Sequence, residues 1–346
     1  MRRRALLLNL FSLLAGVLLF VCVIEQTGRR ELLARLQYLG PSFLLIILVS
    51  GARPLVRALA WLRCMQPEDR GVGFFTVWRA RLIGDAIGNL TMVGPVAAEP
   101  ARLIFFGGKL PLTSAASSLS VEFFTYFVSC CLVMLSGLAT LLGIFVISQS
   151  IREASIVALL GLLLIVAVAV IILSWRVSLI AVLHAALNHF FSEHHFSPRI
   201  DRQIHKLLTI ENYLFDFYRR RPRDFASVAC YEALFHISAI IEIYLTLRLI
   251  GERTTWTISF IFEATTRLIN MVFAFVPLRV GVDEAGTGLL AETLGVGTLT
   301  GVTLAIYRKI RVLFWTAVGL ACLAAFTTTV SKDEKPERES ETKEKF

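Results

Sequence analysis

Six runs of about twenty mostly apolar residues, at 5–24, 42–62, 121–147, 155–174, 226–250 and 312–330, limit what this chain can become. Each is long enough to cross the hydrocarbon of a bilayer as a helix, where every backbone group must bond within its own segment. The chain has 346 residues, of which 56% are hydrophobic and 18% charged, so it lacks the polar surface of a soluble domain. The class is an all-α, polytopic helical membrane protein, with one membrane domain over 1–330 and a mixed-charge tail over 331–346 too polar to fold alone. Arg2 to Arg4 before the first run imitate a signal peptide. The run is too long for that and lacks a small-x-small cleavage site, so it reads as an uncleaved first span.

Two segments between the runs do not suit lipid. Residues 84–105 carry Asp85, Asn89, Glu99 and Arg102 around Gly94-Pro95, and 257–298 carry Glu263, Arg267, Asn270, Arg279, Asp283 and Glu284 around Pro277. Charge and broken backbone survive at membrane depth only when packed in protein or lining a wet cavity.

The net charge of +9 does not imply nucleic acid, because the basic residues lie mostly between apolar runs and no nucleic-acid motif accompanies them. They serve as topology signals instead. Arg2 to Arg4 place the N-terminus in the cytoplasm, as Arg63, Arg70, Arg79 and Arg81 place 63–81 and the arginine-rich loop 175–225 places itself. Counting crossings then makes 82–106 a re-entrant hairpin turning near Gly94-Pro95. A cytoplasmic tail would make 257–298 a second, oppositely inserted hairpin, as in inverted-repeat transporters. Arg308, Lys309 and Arg311 compete with that topology, because as a cytoplasmic flank they would put the tail outside. Within 175–225, Pro198 opens an amphipathic helix with Ile204, Leu208 and Phe215 on one face. It rests either on lipid headgroups or on the underside of the protein.

The candidate substrate-binding residues are Asn89, Pro95, Glu99, Arg102, Glu122, Asn270, Pro277, Arg279, Glu284 and Arg308. Glu99 and Arg102 share a helix face and either neutralise one another or form part of a site; Glu263 and Arg267 pose the same choice. Arg279 beside Gly281 pairs a guanidinium with freed backbone, which suits a phosphate oxygen. Five histidines within 184–205 have no metal-ligand spacing, and six scattered cysteines suggest neither a metal site nor a disulfide framework. No Walker loop, nucleophile elbow or dinucleotide fingerprint is present, so no catalytic residue, metal or cofactor is expected.

The run from Arg81 to Glu122 resembles the lysylphosphatidylglycerol synthase transmembrane-region, or flippase-like, family. Its Gly and Asn before a Pro, then Gly-Glu-x-x-Arg and a helix-opening Glu, correspond to Gly84, Asn89, Pro95, Glu99, Arg102 and Glu122. Pro277, Gly281, Glu284 and Gly286 match the second signature, and Arg308 stands where the family often has an arginine. Ala98 replaces the usual Gly, Phe123 follows Glu122 where Arg is common, and Arg279 and Val280 thin the second Gly-rich turn. The resemblance implies a lipid-translocating membrane part without the soluble transferase domain of larger members. Arg102, Arg279 and Arg308 would hold an anionic headgroup, while Glu99, Glu122 and Glu284 would orient those arginines or take up protons. The expected partner is a lipid of phospho- or polyprenyl-phosphate type in the bacterial inner membrane. The alternative is a noncatalytic protein presenting lipid to a separate glycosyl- or aminoacyl-transferase.

Overall fold

The structure, a computed structural model, describes residues 40–91, 94–106, 109–190, 198–276 and 279–343. The first apolar run and Pro277 lie outside the described residues. Among these residues there is no strand, and twelve α-helices follow in order. They are α1 (Phe43–Ser50), α2 (Ala52–Cys64), α3 (Phe74–Leu90), α4 (Gly94–Ile104), α5 (Leu112–Ile144) and α6 (Gln149–Trp175). Then come α7 (Leu179–Phe190), α8 (Pro198–Arg220), α9 (Pro222–Leu249), α10 (Trp256–Val272), α11 (Val282–Thr293) and α12 (Thr298–Lys343).

Five stretches are long and apolar enough to cross a membrane: Phe43–Cys64, Leu112–Ile144, Gln149–Trp175, Pro222–Leu249 and Thr298–Phe326. They correspond to five of the six expected runs. The last begins 14 residues before the expected start at 312, which puts Arg308, Lys309 and Arg311 inside a spanning helix. These residues therefore do not flank a span and cannot report its sidedness. Arg81 also departs from its expected place on a cytoplasmic flank, being 2% exposed and bonded to Glu122. Sequence counting treats every basic residue near a span as solvated, and burial with a carboxylate removes that signal. Helix α12 runs on through the charged segment as far as Lys343.

The first broken segment is a helical hairpin. Gly84 lies against Arg102 and Ala98, and Gly88 against Ala98 and Gly94, so α3 and α4 run antiparallel at close range. Gly94 has φ +37°, a turn conformation that glycine adopts without steric cost. In the second segment α10 ends at Val272 and the helix restarts only at Val282, after which α11 folds back against α12. Gly301 meets the backbone of Thr287 and Gly288 there, an approach that a side chain would block.

Packing sorts the helices by depth. Ile243, Leu247, Phe262, Leu290 and Leu304 join α9, α10, α11 and α12 in one core, while Trp61, Val77 and Leu119 join α2, α3 and α5 in another. Helix α6 is peripheral. Its buried residues, Ser155, Leu162 and Ala169, recur every seventh position, and Val157, Leu160, Leu164 and Ile171 face outward as a lipid-exposed helix requires.

The amphipathic α8 takes one of its two expected settings, against the protein, over its C-terminal half. In its C-terminal half Phe217 packs with Cys64, Val121 and Val228, and the Tyr213 hydroxyl donates to the Cys64 carbonyl at 2.7 Å. Nearer its N-terminus Leu207 is 48% exposed. So the C-terminal half rests on the protein, while Leu207 lies open nearer the N-terminus.

Gly319 lets α12 approach α3 closely: a Cβ there would stand 2.3 Å from the Leu82 carbonyl oxygen. Gly319→Val should destabilise the protein by about 1–3 kcal/mol through forced separation of the two helices. A thermal melt of the detergent-solubilised variant that coincides with the parent would contradict this packing.

Candidate functional site

A cavity of about 570 Å³ opens among α2, α3, α4, α5, α10 and α12. Each helix gives it a stripe at helical spacing. α3 contributes Arg81, Asp85 and Asn89, and α10 contributes Glu263, Thr266, Arg267 and Asn270. Arg308, Arg311, Val312, Trp315 and Thr316 come from α12, and Arg53 and Arg57 from α2. The hairpin arm α4 adds Ala98, Glu99 and Arg102, while Phe123, Tyr126, Phe127, Cys130 and Met134 of α5 form a largely apolar wall.

Eight arginines line this space: Arg53, Arg57, Arg81, Arg102, Arg267, Arg279, Arg308 and Arg311. The lining carboxylates are Asp85, Glu99 and Glu263. Other carboxylates stand behind the wall and hold arginines in pairs. Glu122 accepts from Arg57 at 2.6 Å and from Arg81 at 2.9 Å, and it is fully buried. Glu242 accepts from Arg53 at 2.7 Å and from Arg311 at 2.8 Å and 2.7 Å. Glu263 accepts from Arg267 at 2.6 Å, whose guanidinium also reaches the Tyr126 hydroxyl at 3.1 Å. The Tyr126 ring in turn lies 3.5 Å under Arg57. Charge-assisted bonds of this kind hold these guanidiniums in fixed positions.

Arg102 pairs with Glu99, as the i,i+3 spacing suggested, and also with Asp85 across the hairpin. Arg279, with φ +49°, lies 3.5 Å from Asp283. Arg308 differs from the rest: among the described residues it makes no ion pair within 4 Å, and the carboxylates of Asp283, Glu263 and Glu242 reach it only through longer-range attraction.

Six of the expected residues meet in this one cavity: Asn89, Glu99, Arg102, Asn270, Arg279 and Arg308. Asn89 Nδ2 donates to the Thr316 hydroxyl at 3.0 Å, tying α3 to α12. Glu122 stands behind the lining. Glu284 is buried as well, accepting from the Gly281 backbone N–H at 2.7 Å and from Lys309 at 2.5 Å. It thus orients a lysine and caps α11 with its own carboxylate, so that helix end is already occupied by an anion. Pro95 opens α4 next to the lining residue Gly94.

Sequence reasoning missed Arg53, Arg57 and Arg311 as site residues. Arg53 and Arg57 did carry a legible signal, since two arginines four apart inside an apolar run must face a polar interior. Glu242, the partner of Arg53, is 189 residues away from it, which only the packing reveals.

A Cβ at Gly84 would meet the Arg102 side chain at 2.3 Å and the Ala98 carbonyl at 2.9 Å. Gly84→Ala should therefore push Arg102 from its carboxylates and impair the site more than the fold. A thermal melt shifted only slightly is the expected outcome, and a loss of stability as large as that of Gly319→Val would show that the hairpin itself is forced open.

Spanning helices around an arginine-lined chamber define a polytopic helical membrane protein. The family model for the lysylphosphatidylglycerol synthase TM region matches residues 9–319, most of the chain, and the protein belongs to that family, which links it to lipid handling. Against curated proteins and against solved structures, nothing matches the chain.

Proposed function

We propose that the cavity receives the anionic headgroup of a membrane lipid and that the protein carries this lipid between the leaflets of the cell inner membrane, its N-terminus in the cytoplasm. The observation that carries this reading is the surplus of guanidinium in the lining, with Arg308 held by no carboxylate within 4 Å among the described residues. A half-buried cation without a close carboxylate loses part of its hydration uncompensated, and a phosphate or phosphodiester oxygen offers the charge and bond geometry to offset that cost. The apolar wall of Phe123, Phe127 and Met134 beside the arginines suits an amphiphile better than a free anion.

Purified protein in vesicles should accelerate transbilayer movement of a fluorescent phosphodiester lipid with a net negative headgroup, and do so more than for a phosphocholine lipid. Equal rates for both, or no rate above protein-free vesicles, would overturn transport. Tight binding of the anionic lipid without movement, together with a co-purifying transferase, would favour presentation of lipid to a separate enzyme.

A further inference from the structure

One buried acid takes no part in the arginine pairing just described. Glu232 of α9 is 1% exposed, and neither of its carboxyl oxygens has a hydrogen-bond partner among the described residues. Its nearest cation is Arg57, whose Nε lies 3.9 Å away. That guanidinium is already committed to Glu122, at 2.6 Å from Nε and 2.5 Å from Nη2, and is stacked on Tyr126. Buried carboxylates are ordinarily paired and hydrogen-bonded, so a buried acid with neither close contact calls for a physical account.

The surroundings supply one. Arg57 stands beside two acids, Glu122 and Glu232, and also lines the cavity. We propose that Glu232 is a proton-binding site linked to the lipid site: it takes up one proton from the medium when an anionic headgroup engages Arg57, and returns it when the headgroup leaves. This inference rests on the lipid-binding reading above. The step is an association with no bond broken in the lipid. The proton adds to one Glu232 carboxyl oxygen, and the ligand's negative charge is matched by the proton's positive charge.

The cause is electrostatic. Arg57 and Arg81 together offset Glu122 and Glu232. An anion at Arg57 consumes part of that offset, leaving two acids close together with too little positive charge between them, a state relieved when one of them holds a proton. Glu122 keeps its bonds to Arg57 and Arg81, whereas Glu232 has no such bonds to lose, so the proton goes to Glu232. The other charged and titratable groups that act on Glu232 come from every neighbouring element: Arg57 and Cys64 of α2, Arg81 of α3, Glu122 of α5, Tyr218 of α8 and Arg267 of α10. His236, one turn further along α9, turns to Ser129 at 3.2 Å and Glu263 at 3.7 Å.

The test is proton release or uptake on binding, measured with full-length protein in nanodiscs in weak buffer containing a pH indicator. The probe is a short-chain phosphatidylglycerol, a phosphodiester that does not itself titrate near neutral pH. The parent protein should take up about one proton per lipid bound, and its affinity should fall by about tenfold per pH unit across that range, because lipid and proton must affect each other equally. Glu232→Gln, which reproduces the shape of the protonated acid, should bind the lipid without proton uptake and with a flat pH dependence. Binding by Glu232→Gln with parental proton uptake overturns the inference and leaves the lipid site standing. Absence of lipid binding by the parent protein overturns both. Should the variant not fold, the parent alone still decides the matter: the infrared difference spectrum on lipid binding should gain a protonated-carboxyl band, and its absence overturns the inference.

Discussion

Glu122→Ala should unfold this protein more readily than any single substitution in the cavity lining. One fully buried carboxylate holds Arg57 and Arg81, from two different helices, so its removal strands Arg81 in the interior and leaves Arg57 only Glu232 at 3.9 Å. Removing one partner of a buried ion pair costs about 3–5 kcal/mol, because the remaining charge keeps its desolvation penalty and loses its compensation. Thermal melts in detergent, read by size-exclusion profile, would measure this. Glu122→Gln should lose less, since an amide oxygen still accepts from the guanidiniums. A melt for Glu122→Ala within about 1 kcal/mol of the parent would mean that Arg57 and Arg81 find other partners, and the central role of Glu122 would be wrong.

Arg308→Gln should have the opposite character, with a large functional loss and little change in the fold. Within 4 Å of Arg308 no carboxylate among the described residues is left orphaned by the change, so stability should hold or improve slightly. A hydrogen bond to a charged group is worth about 1.5–3 kcal/mol, so anionic lipid should bind roughly ten- to hundredfold more weakly. Binding of a phosphocholine lipid should change less. Arg308→Lys should recover part of the loss as a point charge without the planar fork. Parental affinity in Arg308→Gln would remove the observation on which the proposed function stands.

The polar residues of the two broken segments were legible because hydrocarbon penalises charge so heavily that Asp85, Asn89, Glu99 and Arg102 had to be sheltered somewhere. The pairing of Glu99 with Arg102 and of Glu263 with Arg267 followed from helical spacing, and both pairs are present. Glu122 and Glu284 were legible as important acids but not as acids behind the wall. Whether a carboxylate faces the chamber or backs an arginine depends on helix rotation, which spacing within one helix leaves open. The basic residues misled for a related reason. Arg81 and Arg308 stand near span ends in the sequence, and the positive-inside rule reads any such residue as solvated.

The sequence by itself determined that the chain crosses a membrane as helices, and that two polar segments must be hidden from lipid. These properties depend on the transfer of each segment out of water, and that energy is set locally by composition and length. Only the tertiary structure decided that the two segments share one chamber, that Arg53 and Arg311 meet at Glu242, and that Glu232 stands apart. Those outcomes depend on which faces of distant helices come together, and small residues such as Gly84, Gly301 and Gly319 set that by allowing backbones to touch.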